Sequence, residues 1–166
     1  MPQLETSQNI GQIAAALAAA QAELESVPKE RRAKIEGKAS YSYSYASLAD
    51  ALDIARAPLA KAGIAIIQSP ALDSIETTQS DERSGEVRTM RSTVVVVTTL
   101  LAHSSGEWIR SSLTMRPTQS TPQGIGSAIT YARRYALLAI LGMTTDDDDD
   151  GAEASRVGPP RQGFAP

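Results

Sequence analysis

Cysteine is absent from the 166 residues. That excludes disulfides and thiolate metal sites, and it is compatible with a cytoplasmic compartment. Aromatic residues make up only 4%, so the core must come mainly from Ala, Leu, Ile and Val, and the positions of five Tyr and one Trp become informative. Histidine occurs once, as His103 in a Ser-Gly turn, with no serine or acid evidently placed to complete a catalytic triad. No apolar run is long enough to span a membrane. The alanine-rich "IAAALAAA" (13–20) has no positive charge before it, and Glu23 and Glu25 follow soon after, so it does not read as a signal peptide. No G-x-x-x-x-G-K-[ST] occurs, and "QGIGSA" (123–128) lacks the third glycine of a dinucleotide loop, with Ile129 standing in its place.

What remains is enough for one domain with a real core. Hydrophobic residues are 42% and charged residues 21%. The formal net charge of −3 misleads about partners. Residues 146–166 hold Asp146, the four aspartates after it and Glu153 against Arg156 and Arg161; the rest carries 14 basic and 13 acidic residues. The whole-chain field is therefore not cationic, although a local basic surface is possible. We expect a folded domain over 1–145 and a flexible Asp-rich, then Gly/Pro-rich tail over 146–166.

Along the chain, residues 7–26 read as a first helix capped by Ser7 and stopped by Pro28. "KERRAKIEGK" (29–38) carries five basic and two acidic residues, and "YSYSYA" (41–46) alternates as a strand would. Ser47 and Asp50 form a capping box for a helix over 48–62, with Pro58 implying a kink or break. "IAIIQ" (64–68) reads as a short buried strand. Segments 71–78, 87–103 and 107–116 then form an antiparallel meander. In the last strand Ile109, Leu113 and Met115 share one face, and Trp108, Arg110, Ser112, Thr114 and Arg116 the other. A final helix covers about 123–141, before Gly142. The fold class is α+β, an antiparallel β-meander with a β-β-β-α core packed with helices.

That last helix holds "YARRY" (131–135). Ile125, Ile129, Ala132, Ala136 and Ile140 form its apolar stripe, with Arg133 at the edge and Ser127, Tyr131, Arg134, Tyr135 and Leu138 on the far side. Two rings, a guanidinium and a leucine suit either a second packing layer, within the chain or against another subunit, or a surface for phosphates and bases. Spacing alone favours packing. The tyrosines of "YSYSY", beside Lys34 and Lys38, leave the same choice open. Gly124 and Gly126 read as permitting close packing at the helix start. "DDDDDG" (146–151) begins like a calcium loop, but its twelfth position is Val157 rather than Glu. A solvated acidic run is the better reading, with a weak Mg²⁺ site as the alternative.

Taken in order, "YSYASLADALDIARAPLAKAGIAI", "HSSGEWI" and "GSAITYARRYALLAILGM" followed by the Asp run resemble the ERF (essential recombination function) family of phage proteins, over roughly residues 41–151. The resemblance implies a single-strand annealing protein, similar in fold to ring-forming strand-annealing proteins, that works without ATP, without a catalytic site and without an obligatory cofactor; Mg²⁺ dependence stays open. It implies self-assembly into a ring or filament, single-stranded DNA as partner, a phage exonuclease or host single-strand-binding protein as further partners, and the cytoplasm of a bacterial host. It places Arg133 and Arg134 on the DNA-lining helix. Lys38, Arg88, Arg110 and Arg116 are secondary DNA candidates. Tyr43, Tyr45, Trp108, Tyr131 and Tyr135 are candidates for stacking or subunit packing. The competing functions are a protein that coats single strands without annealing them and a metal-dependent nuclease using the Asp run.

Overall fold

A computed structural model describes residues 4–28, 31–35, 41–45, 47–80 and 87–145. The elements run β1 (Glu5–Thr6), α1 (Gly11–Gln21), β2 (Arg31–Ile35), β3 (Tyr41–Tyr45), α2 (Leu48–Lys61), β4 (Ile64–Ser80), β5 (Val87–His103), β6 (Trp108–Met115) and α3 (Pro122–Leu141). Strands β4, β5 and β6 form an antiparallel meander followed directly by α3, the expected β-β-β-α unit, and the four-stranded sheet has the order β1-β6-β5-β4. β2 and β3 pair antiparallel as a separate two-stranded sheet, with Ala33 opposite Tyr43. The basic stretch is thus in part a strand partnering "YSYSY".

The expected short strand at 64–68 and the segment at 71–78 are one strand. β4 runs through Pro70 because it lies at the sheet edge, where a missing N–H need not interrupt an interior ladder. It is buried on one face only: Ile64 and Ile66 join the core, whereas Ile67 is half exposed. β6 pairs only with residues 95–102 of β5, whereas β4 pairs with β5 from Ile64–His103 to Ser80–Val87. Residues 73–80 and 87–94 therefore extend past β6 as a two-stranded arm, roughly 27 Å long at about 3.4 Å per residue.

The first helix is shorter than its composition suggests, starting at Gly11 and ending at Gln21. Ser7 does not cap it. Its hydroxyl donates to Asn9 O at 2.6 Å and accepts from Trp108 N at 3.0 Å, which ties the N-terminal strand to β6. The residue at the N-cap is Ile10, with no side-chain cap of its own. The missing acceptor comes from 94 residues away: Glu107 Oε2 accepts from Ile13 N at 2.8 Å. The helix after Ser47 does have its reciprocal box, Asp50 N donating to Ser47 Oγ and Ser47 N to Asp50 Oδ2, both at 3.1 Å. It continues through Pro58 to Lys61 rather than breaking there. The ring falls in the last turn, where only one helical bond, to the Ile54 carbonyl, is lost.

α3 begins at Thr121, whose hydroxyl accepts from Gly124 N, with Pro122 in the first turn, and it ends at Gly142 with φ +67°. Its two halves bury different surfaces. The first half lies on the sheet, where Ala128, Ala132 and Ala136 pack on Val95 and Val97 with Ile125, Ile129, Leu113 and Met115 around them. The second half meets α1 and α2 in a larger cluster that includes Ile13, Leu59, Leu101, Leu137, Leu138 and Leu141. Full burial of such a side chain stabilises by about 1.5–3 kcal/mol. The helices join at one end as well, since Gln21 Nε2 donates to Leu141 O at 2.9 Å.

Candidate nucleic-acid interface

The far side of α3 is a second packing layer for part of its length. Leu138 is buried against α1 and α2, and Arg134 beside it is only 9% exposed. The Tyr131 and Tyr135 rings stack at 6.2 Å with a 30° interplanar angle. The Arg134 guanidinium carbon lies 5.0 Å from each ring centroid, and Arg134 Nη2 donates to Tyr135 OH at 3.3 Å. The i, i+4 spacing brings the two rings together on one side of the helix, and the guanidinium packs against both stacked rings rather than between them. Cation–π contacts of this kind contribute about 0.5–2 kcal/mol each. Tyr135 keeps an exposed edge at 44%.

Arg133 differs from its neighbour. It is half-buried at the β4 side of α3, where its Nε donates to Gln68 Oε1 at 3.2 Å. Gln68 Nε2 donates to the Arg133 carbonyl at 2.8 Å and to Thr99 Oγ1 at 3.1 Å. Thr99 is fully buried between Val97 and Leu101 on the helix-facing row of β5, at the joint between the two core clusters. Among the described residues no acidic side chain pairs with Arg133, and the hydrogen bond given for its guanidinium is made by Nε, to a neutral partner.

The other candidates do not converge on this place. Arg110 stands opposite Leu100, on the sheet face away from α3. There its guanidinium lies 5.3 Å from the Trp108 ring and pairs with Glu5, Nε donating to Oε2 at 3.1 Å. Together with Ile67, Ser69, Thr98 and Leu100, these two residues line a shallow depression of about 260 Å³. Arg116 is exposed one residue past β6. Arg88 lies in the arm opposite Gln79, and Tyr43 and Tyr45 lie in β3; their positions in the strands are described, their side chains are not. Lys38 and the aspartates at 146–150 lie outside the described residues. Among the described residues no group of three or more potential metal ligands gathers, and no helix is long and apolar enough to cross a membrane.

The glycines of "QGIGSA" separate too. A Cβ on Gly124 would collide with Gln119 O, so the loop can cross the helix start only over a glycine. A Cβ on Gly126 would meet nothing within 4 Å, so the close packing expected there is not found among the described residues.

The model of the ERF superfamily matches residues 13–160. The chain belongs to that family. The match begins inside α1 and passes the Asp run, so it is wider at both ends than the three motifs. Comparison with curated proteins and with solved structures returns no match. Membership associates the chain, in general terms, with phage recombination by single-strand annealing and with single-stranded DNA.

Three residues that hold this region together do not stand out in the sequence as candidates: Gln68, Thr99 and Glu107. For the first two a signal is present. Each is a polar residue between apolar neighbours on the helix-facing row of its strand, Gln68 between Ile66 and Pro70 and Thr99 between Val97 and Leu101, and the two stand opposite each other in the ladder.

Proposed function

We propose that the protein binds single-stranded DNA and anneals complementary strands without nucleotide, acting as a homo-oligomer in phage or prophage recombination within the bacterial cytoplasm. The observation that carries this reading is the Arg133 guanidinium, held by its Nε on the helix of the β-β-β-α unit of an ERF-family chain, with no acid beside it among the described residues. Arginine presents fixed, parallel donors to phosphate oxygens, and Nη1 and Nη2 are the ones left to do so. Arg134, nine-tenths buried and packed against the stacked Tyr131 and Tyr135 rings, sets the helix surface beside it rather than reaching for DNA.

The mechanism needs no base-reading side chain. Phosphate contacts hold the backbone and leave base edges free to test a second strand, so base pairing supplies the specificity. One such cation per subunit is a weak site. Repeated in a ring or filament it becomes a continuous track, which explains how a chain without cationic excess can hold a polyanion. A phage exonuclease or a host single-strand-binding protein would supply or cover the strands.

The test mixes fluorescently labelled complementary strands with the protein in nucleotide-free buffer. Annealing faster than the spontaneous rate supports the proposal. Binding without acceleration would leave a coating protein, and shortened strands in Mg²⁺ would indicate a nuclease.

A further inference from the structure

We infer that Gln68 is a positioning residue for DNA binding, holding Arg133 in place with a neutral partner so that the arginine is ordered without its charge being cancelled. This rests on the reading of Arg133 as a phosphate contact and adds the element that prepares it.

Three of the four hydrogen-bonding positions of the Gln68 carboxamide are used, including both N–H donors. Its oxygen accepts from Arg133 Nε at 3.2 Å, and its nitrogen donates to the Arg133 carbonyl at 2.8 Å and to Thr99 Oγ1 at 3.1 Å. The amide can be oriented only one way. Reversed, its NH₂ would face the Arg133 N–H and its oxygen would face the Arg133 carbonyl. Thr99 has no exposure to water, so its hydroxyl relies on protein partners. The carboxamide therefore bridges β5, β4 and α3, and fixes both the backbone and the first guanidinium nitrogen of Arg133.

The chemistry of the partner matters. Arg side chains carry about 2 kcal/mol of rotamer entropy, and ordering one on binding costs part of that. A glutamate at position 68 would order the side chain equally well but would neutralise it as an ion pair. A glutamine orders it and leaves the full positive charge for a phosphate. It also binds Nε alone, which leaves the two Nη groups as donors for a ligand.

The test is a double-mutant cycle with a short fluorescent single strand, measuring affinity across a salt series for wild type, Gln68→Met, Gln68→Glu, Arg133→Ala and Gln68→Met with Arg133→Ala. Melting temperature and oligomeric state are followed in parallel. Gln68→Met keeps the volume and the arginine charge but frees the side chain, so affinity should fall about three- to tenfold with the salt slope unchanged. Gln68→Glu should weaken binding and also lower the salt slope toward that of Arg133→Ala. In the Arg133→Ala background Gln68→Met should have no further effect on affinity, although it lowers the melting temperature in both backgrounds.

A Gln68→Met effect on DNA of equal size in both backgrounds would make the residue merely structural and overturn the inference. So would wild-type binding by both Gln68 variants while Arg133→Ala is impaired. If Arg133→Ala itself binds like wild type, the role of Arg133 fails, and that of Gln68 falls with it.

Discussion

Replacing Glu107 by Ala should loosen a helix that lies 94 residues away in sequence. α1 starts after Ile10, which offers no side-chain acceptor, and the Glu107 carboxylate fills that place at 2.8 Å from Ile13 N. Ile13 has no exposure to water, so water cannot replace the missing acceptor without disturbing the core. An unsatisfied buried N–H costs about 1–3 kcal/mol, and the attraction between a carboxylate and a helix N-terminus about 0.3–1 kcal/mol more. We therefore expect Glu107→Ala to cost about 2 kcal/mol, which for a chain of this length lowers the melting temperature by about 4–8 °C. Glu107→Gln keeps an acceptor and removes the charge, and should cost about half as much. Thermal unfolding at matched protein concentration measures the first quantity, and hydrogen exchange at the Ile13 amide localises it. A Glu107→Ala melting temperature within about one degree of wild type, with Ile13 still protected, would refute the cap.

Three further outcomes follow from the geometry. Gly124→Ala brings a methyl group against the Gln119 carbonyl and should destabilise by about 1–3 kcal/mol; Gly126→Ala meets open space and should stabilise by about 0.5–1 kcal/mol. Denaturant titration reads both. If Gly126→Ala stabilises the fold yet weakens annealing, a strand or neighbouring subunit approaches the helix there. Arg110→Ala, removing a side chain already paired with Glu5 on the opposite sheet face, should change single-strand affinity by less than about twofold, as measured by fluorescence anisotropy.

Much of the fold is legible in the sequence because local signals agree with tertiary structure. The Ser47–Asp50 box, the antiparallel meander, the two faces of β6 and the boundaries of α3 all follow from spacing and capping chemistry. The features that spacing misplaces depend on partners far away in the chain. Ser7 looks like a cap, but β6 draws its hydroxyl into a strand contact, and the real acceptor for α1 comes from the turn after β5. The segments 64–68 and 71–78 read as separate, and the edge position of β4 lets one strand run through Pro70 between them. In "YARRY" periodicity places Arg133 at the apolar edge correctly. It cannot show that Arg134 is buried, because the neighbours of α3 change along its length from the sheet to the helical cluster. Periodicity describes a helix as if every turn had the same neighbours, and here it does not.

The most direct test of DNA binding through the α3 arginine is the salt dependence of single-strand affinity for wild type and Arg133→Ala at equal oligomeric state. Wild-type affinity should fall linearly with salt on logarithmic axes, and the variant should bind more weakly, with a slope shallower by about 0.7 for each phosphate it no longer neutralises. Identical affinities and slopes for the two proteins would rule out DNA binding through Arg133.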